Sequence, residues 1–104
     1  MAPAWLMVRA VVAEAADRPR FDRWYAAEHL PQAAAAFEAR RAWRCWSTQD
    51  PSVHYAFYEF ADVARAQAVF GSAAMRGQVA EFDRVWADRV TRTREVMELA
   101  GALP

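Results

Sequence analysis

The chain has 104 residues, which is enough for one domain that buries a single core. Its 13 basic and 13 acidic residues cancel, so no global field attracts nucleic acid or an anionic membrane surface, and both are excluded as partners. Apolar residues make up 56% of the sequence and aromatic residues 13%, so we expect some rings to line a pocket or a subunit interface.

Cysteine, histidine and glycine usage excludes several kinds of site. Cys45 is the only cysteine, which rules out an internal disulfide or a cysteine-rich zinc site, and we expect it to be a small buried residue on a strand. Two histidines without closely spaced carboxylates predict no metal site, and three glycines supply no phosphate-binding loop. With no basic leader and no run of ~20 apolar residues, the sequence predicts a reduced, cytoplasmic protein without a cofactor.

The first half of the chain is predicted to form a strand followed by an interrupted helix. Residues 4–13 are a short, β-branched apolar run, which favours a strand. Helical spacing begins at Asp17 and continues through an aromatic stretch. Because Pro31 disfavours helical dihedrals at the residue before it, Leu30 is predicted to mark a break or a kink, and the helix is predicted to continue over residues 32–38.

The second half predicts a hairpin, a helical region and a last strand. Residues 40–48 and 53–60 alternate around a turn at 49–52. Asp62 is predicted to cap a helix over residues 63–70, and a stronger helical face follows Gly77 as far as residue 90. Residues 91–99 either extend that helix or form a strand, and Thr91 and Thr93 favour the strand.

The order strand, helix, strand, strand, helix, strand predicts an α+β fold of the ferredoxin-like βαββαβ type. Its four-stranded antiparallel sheet carries helices on one face only, so a second subunit or a ligand must cover the other, open face. Glu59 would be costly beneath the helices, so its face of the third strand is predicted to be open, where Arg9 of the first strand pairs with it. The predicted open-face residues are Trp5, Met7, Arg9, Val11, Tyr55, Phe57 and Glu59.

The helical segment before Pro31 combines two rings, a carboxylate and an imidazole. His29 lies four residues after Tyr25, and Glu28 lies four after Trp24, so the polar pair ends an aromatic face. Adjacent helical residues diverge by about 100°, so Glu28 and His29 are not expected to touch. The segment therefore predicts either a site or a helix end in which His29 binds the carbonyls that the proline frees.

The other polar residues are predicted to be at the surface. His54 follows the hairpin turn and is expected to be exposed. The arginines at 89, 92 and 94 are expected to be solvated, whereas Arg9 on the open face is placed to hold an anionic substrate.

Several of these segments together resemble the dimeric α/β-barrel proteins, especially EthD-like members. The most specific is the Trp-Tyr-x-x-Glu-His-Leu-Pro run at residues 24–31, and the resemblance extends over residues 5–99. It implies that residues 1–104 form a single dimeric α/β-barrel domain, in which two open sheet faces meet and each protomer has a cavity between sheet and helices. In such proteins a helix histidine often acts as acid or base, and His29 is the matching position.

The resemblance implies a cytoplasmic homodimer that binds a small aromatic or polyketide-like molecule. His29 is the predicted catalytic acid or base for an isomerisation, a cyclisation or a cofactor-independent oxidation. One alternative is a non-catalytic binding or accessory protein, in which His29 only secures the helix break; a second is haem binding through a histidine. The predicted substrate-binding residues are Trp24, Tyr25, Glu28, Arg9, Tyr55 and Phe57.

Overall fold

A computed structural model describes residues 2–104 as one sheet with helices packed on one of its faces. A π-helical turn, Tyr25–His29, joins the first two helices, and short 3-10 turns lie at Ala15–Asp17 and Ala87–Arg89. None of the helices in this part of the chain is long and apolar enough to span a membrane. The strands are β1 Ala4–Val12, β2 Arg41–Trp46, β3 Val53–Phe60 and β4 Val90–Glu98, and the helices are α1 Arg18–Trp24, α2 Leu30–Ala36, α3 Val63–Phe70 and α4 Ala73–Trp86.

The strands pair in the order β2-β3-β1-β4, and every pairing is antiparallel. This is the topology that the predicted element order requires, and the ferredoxin-like α+β fold is confirmed. One boundary differs from the prediction, because α4 begins at Ala73 and Gly77 lies inside it. The Ser72 hydroxyl accepts a hydrogen bond from the Met75 amide at 3.1 Å, which caps the helix earlier than its apolar spacing suggests.

Strand β1 alternates throughout between a buried helix-covered face and a half-buried open face, as predicted, and β3 does so from Tyr55 to Tyr58. Glu59, placed on the open face by the prediction, is 7% exposed. The ion pair predicted between Arg9 and Glu59 is wrong, because the register places Arg9 opposite Tyr55 and Trp5 opposite Glu59. Four residues of strand separate the two groups by about 13 Å. Glu59 instead accepts hydrogen bonds from Trp5 Nε1 at 3.2 Å and from Arg40 Nε at 2.9 Å.

The helix is continuous through Pro31, so of the predicted break or kink at Leu30 the break is wrong. Leu30 keeps helical dihedrals, φ −61° and ψ −50°, and its amide donates to the carbonyl of Tyr25, five residues earlier. This wider hydrogen-bonded turn belongs to a π-bulge, which commonly marks a functional segment. The bulge absorbs the proline because it already departs from the i to i−4 pattern that a proline interrupts.

The end of α2 uses a left-handed residue other than glycine. Glu38 has φ 55°, in the position after the helix where glycine is usual. The amides of Glu38 and Ala39 donate to the carbonyls of Ala35 and Ala34 at 3.2 and 3.0 Å. This Schellman-type ending turns the chain directly into β2 and places Phe37 over the core, where it is 6% exposed.

Candidate functional site

A cluster of rings fills the space between α1, α4 and the hairpin strands. Phe21 is fully buried at its centre. Ring centroids lie 5.1–6.1 Å from the centroid of Phe21, within the range for favourable aromatic pairs. The six neighbours are Trp24, Tyr25, Trp46, His54, Phe82 and Trp86.

A small cavity adjoins this cluster between the sheet and α4. Its volume, measured over the positions open to the centre of a water molecule, is about 20 Å³, which is room for one or two waters. A larger molecule therefore requires side chains of the wall to move. The wall consists of Val8, His29, Phe37, Tyr58, Met75, Gln78, Val79, Phe82, Arg92 and Arg94.

His29 lies at the boundary between the ring cluster and the cavity. Its imidazole stacks on Trp24 with centroids 4.6 Å apart and an interplanar angle of 14°, and it meets the edge of Tyr25 at 4.9 Å. In an α-helix, residues five apart point about 140° away from each other, so the stacking of His29 on Trp24 depends on the π-turn. The sequence interpretation, which used α-helical spacing, could not find this contact.

The His29 ring is buried without a hydrogen bond. It is 6% exposed, and its Nδ1 atom has no hydrogen-bond partner within residues 2–104. The alternative in which His29 secures the helix end requires hydrogen bonds from its ring to helix carbonyls, and residues 2–104 contain no such bond. Burial, and then the positive charge of Arg92, lower the pKa of His29 to about 4. The imidazole is therefore neutral at neutral pH and has one nitrogen free to accept a proton.

Two arginines on the inner face of β4 supply the charge of the cavity. Arg92 Nη2 donates to Asp83 Oδ1 at 2.7 Å, and its guanidinium carbon lies 3.8 Å from the ring centroid of Phe82. Burial lowers the pKa of Arg92 from its usual value. Arg94 lines the same space and has no ion pair within residues 2–104. The prediction that these arginines are solvated is wrong for Arg92, whose side chain is 12% exposed.

One further polar group of the wall lacks a partner. The Oε1 atom of Gln78 is buried without a hydrogen bond in the described part of the chain, whereas the Tyr58 hydroxyl has the hydroxyl of Tyr25 beside it. Buried polar atoms of this kind are few in folded proteins, so Gln78 Oε1 and His29 Nδ1 around one space indicate a place where a ligand or water completes the bonding.

His54 belongs to the ring cluster, and the prediction that it is exposed is wrong. It is 0% exposed, because its side chain points to the helix-covered face of β3 together with Ala56 and Tyr58. Arg44 Nη1 lies 3.4 Å from its Nε2. Burial, followed by the charge of Arg44, lowers the pKa of His54 to about 4. His54 is also 4.5 Å from Tyr25 between ring centroids, so Tyr25 lies between the two imidazoles.

The predicted site residues divide into two groups in the structure. Trp24 and Tyr25 contact His29, and burial raises the pKa of Tyr25 to about 12. Glu28 is exposed on the outer side of the helix. The remaining candidates lie on the open face of the sheet, which is the face opposite to the cavity, and these are Arg9, Tyr55 and Phe57.

The structure also shows cavity residues that the sequence interpretation did not select. Alternation along β3 and β4 carries the signal, because Tyr58 shares the inner face with Ala56, and Arg92 and Arg94 alternate with exposed threonines. Cys45, predicted to be buried, is exposed because it lies opposite Tyr55 on the open face. No cluster of three or more metal-ligating side chains occurs within residues 2–104.

Solved structures with the same fold support the architecture over the whole chain. The cofactor-independent oxygenase SnoaB from Streptomyces nogalater is 13% identical, with 100% of this chain and 99% of that chain covered and a TM-score of 0.67. A protein of unknown function from Nitrosomonas europaea is 25% identical, with 100% and 96% covered and a TM-score of 0.65. An ethyl tert-butyl ether D (EthD) family protein from Bacillus halodurans is 12% identical, with 88% and 96% covered and a TM-score of 0.62.

These likenesses confirm the resemblance at the level of fold: the chain has the ferredoxin-like fold of the dimeric α/β-barrel proteins. No protein-family model matches the sequence, and no curated protein does either. Identities this low leave function to the geometry of the site.

Proposed function

We propose that the protein binds a small aromatic molecule in the cavity and that His29 removes a proton from an acidic C–H or O–H group of it. The observation that carries this proposal is a neutral, buried imidazole that lines the cavity beside two arginines and whose Nδ1 atom has no hydrogen-bond partner within residues 2–104. A general base must be unprotonated and within reach of the substrate; the neutral His29 ring meets the first condition, and its position in the cavity wall supports the second.

The surrounding side chains suit the charges that proton removal creates. The substrate becomes an enolate or phenolate, whose oxygen Arg94 and Arg92 are placed to stabilise. The imidazole becomes a cation, which gains from the face of Trp24 stacked 4.6 Å away and from the substrate anion beside it. The low pKa of His29 without ligand thus rises when an anion forms in the cavity, because opposite charges favour each other.

The fate of the anion sets the class of reaction. An isomerase or cyclase returns the proton to another atom of the same molecule, whereas a cofactor-independent oxygenase lets the carbanion react with O₂. The fold shared with SnoaB, a cofactor-independent oxygenase, favours the last class. The alternative function is a non-catalytic dimeric binding or accessory protein that uses the same cavity without proton transfer.

Deuterium exchange tests the proton-transfer step without knowledge of the natural substrate. Phenylpyruvate is a suitable probe, because it is aromatic and has an acidic C–H group whose exchange in D₂O is followed by proton NMR. The wild-type protein is expected to accelerate exchange over buffer, and the His29→Gln variant to lose at least about 100-fold of that acceleration. The Arg23→Gln variant, altered at an exposed position of α1, serves as the control.

The expected result of this experiment requires a folded variant, so thermal unfolding of His29→Gln is recorded in parallel. Exchange at the same rate with wild type and His29→Gln would refute the role of His29 as a base. Exchange no faster than in buffer, combined with binding of the probe, would favour the non-catalytic alternative.

We further propose that two copies associate through their open sheet faces. That face is half-buried and aromatic, and the rings of Trp43 and Phe57 stack on it with centroids 5.3 Å apart. Exposed apolar surface of this kind usually marks an interface. Cys45 lies on the same face, so its thiol reports the association.

The Trp43→Glu variant is expected to sediment as a monomer, because it buries a charge in the proposed interface. Its Cys45 thiol is then expected to react with a thiol reagent at least about tenfold faster than the thiol of the wild-type protein. A Phe70→Glu variant, altered on the helical side, is the control and is expected to remain a dimer. A wild-type monomer at micromolar concentration would contradict the proposed association.

A further inference from the structure

The charges around the cavity do not balance. Arg92 and Arg94 lie two residues apart on the inner face of β4, and both reach the space next to His29. Asp83 compensates Arg92 through their 2.7 Å ion pair. Arg94 has no carboxylate partner within residues 2–104, and the neutral His29 ring supplies no negative charge. The wall of the cavity therefore carries one positive charge that a ligand is free to neutralise.

The other groups of the wall determine what kind of molecule brings that negative charge. Phe37, Phe82 and Met75 provide apolar contacts, and sulfur and ring edges suit an aromatic ring. The unpaired Oε1 atom of Gln78 lies on the same wall. An inorganic anion would neutralise the charge of Arg94 but leave the apolar side chains without a contact. An aromatic acid neutralises the charge and also packs its ring against the apolar side chains.

We propose that the ligand of this cavity is a small aromatic carboxylate whose carboxylate group binds Arg94. A guanidinium presents paired N–H groups that match the two oxygens of a carboxylate, which gives the bond direction as well as strength. Arg92 is held by Asp83 and by the face of Phe82, so it lines the site without offering its full charge. The inference names the ligand for the site of the proposed function, but it holds equally for a protein that only binds.

Entry of such a ligand requires movement of side chains, because the cavity itself accommodates only one or two waters. Met75, Gln78 and Arg94 are long and unbranched, so they have alternative rotamers. Phe37 lines both this cavity and a broader surface groove formed with α3 and the start of α4, so its ring is the partition between them. Displacement of Phe37 joins the two spaces and provides room for a ring.

Benzoate and benzamide form a matched pair of probes, because they have the same size and differ in charge. Binding to the full chain is measured by calorimetry at pH 7.5 and low salt. The wild-type protein is expected to bind benzoate at least about tenfold more tightly than benzamide. The Arg94→Gln variant is expected to lose this preference, while Arg94→Lys, which keeps the charge, retains part of it. Arg23→Gln removes an exposed arginine elsewhere and is expected to behave as wild type.

The outcomes separate this inference from the proposed function. Equal binding of benzoate and benzamide, no benzoate binding, or an unchanged preference in Arg94→Gln would overturn it. The carboxylate proposal is supported if the His29→Gln variant still binds benzoate more tightly than benzamide. This holds even if that variant and the wild-type protein catalyse deuterium exchange of phenylpyruvate at the same rate. In that case the carboxylate site stands and the role of His29 as a base is lost.

Discussion

Acidification from pH 6.5 to pH 4 is expected to remove several kcal/mol from the free energy of unfolding. In the unfolded chain His29 and His54 bind protons near their ordinary pKa of 6.5, whereas the folded protein binds them only near pH 4. The unfolded state thus binds more protons throughout this window, and stability falls as the pH falls. Each imidazole contributes about 3 kcal/mol at pH 4, so the loss is comparable to the whole stability of a small domain.

Urea unfolding at a series of pH values measures this dependence. The His54→Phe variant keeps a ring in the cluster and removes one titrating group, so its stability is expected to decline about half as steeply between pH 6.5 and pH 4. The carboxylates of Asp22 and Glu59, whose pKa values are lowered from 3.8 and 4.5 by hydrogen bonds to Trp46 and to Arg40, begin to lose their contribution only as the pH falls below these ordinary values, at the acid end of the series. A wild-type stability that is flat down to pH 5 would show that the imidazoles are not buried as described.

Replacement of Phe21 by alanine is expected to lower the free energy of unfolding by about 3–5 kcal/mol. The ring is 0% exposed and contacts six other rings. Its removal leaves a cavity, and the surrounding rings are too large and rigid to move in and fill it. The Phe70→Ala variant is the matched control, because Phe70 is 43% exposed. Its cost is expected to be below about 1 kcal/mol.

Chemical denaturation of the two variants at pH 7.5 provides the comparison. Loss of Phe21 also removes support for Trp24 and Tyr25, which contact the His29 ring, so the substitution is expected to disturb the candidate site as well. Equal destabilisation by the two substitutions would contradict the central position of Phe21 in the core.

The fold could be predicted because strand alternation and turn residues act locally. In β1 each second residue is buried, and the two faces assigned from the sequence are those of the structure. The same rule, applied to β3 after Tyr55, Phe57 and Glu59 were placed on the open face, also turns His54 inward. Its nearness to the hairpin turn favours exposure, but the alternation of the strand determines which face it takes.

The partners of the site residues could not be predicted in the same way. The contact of His29 with Trp24 depends on a π-turn, whereas the sequence pattern around Pro31 indicates only a break or a kink in an α-helix. The ion pairs of Glu59 and Arg92 depend on strand register and on the position of α4, which hydrophobic spacing leaves open. Short-range patterns thus determine the faces of each element, and long-range packing determines which polar groups meet.

The π-turn at Tyr25–His29 also has a genetic meaning. Such a turn holds one residue more than the α-helical turn it replaces, so it corresponds to the insertion of a single codon in an otherwise regular helix. Without that codon, the histidine would follow Trp24 by four residues in a regular α-helix and would lie on the same side of the helix. The extra residue is therefore taken up within the turn, and the imidazole keeps the side of the helix that meets the cavity.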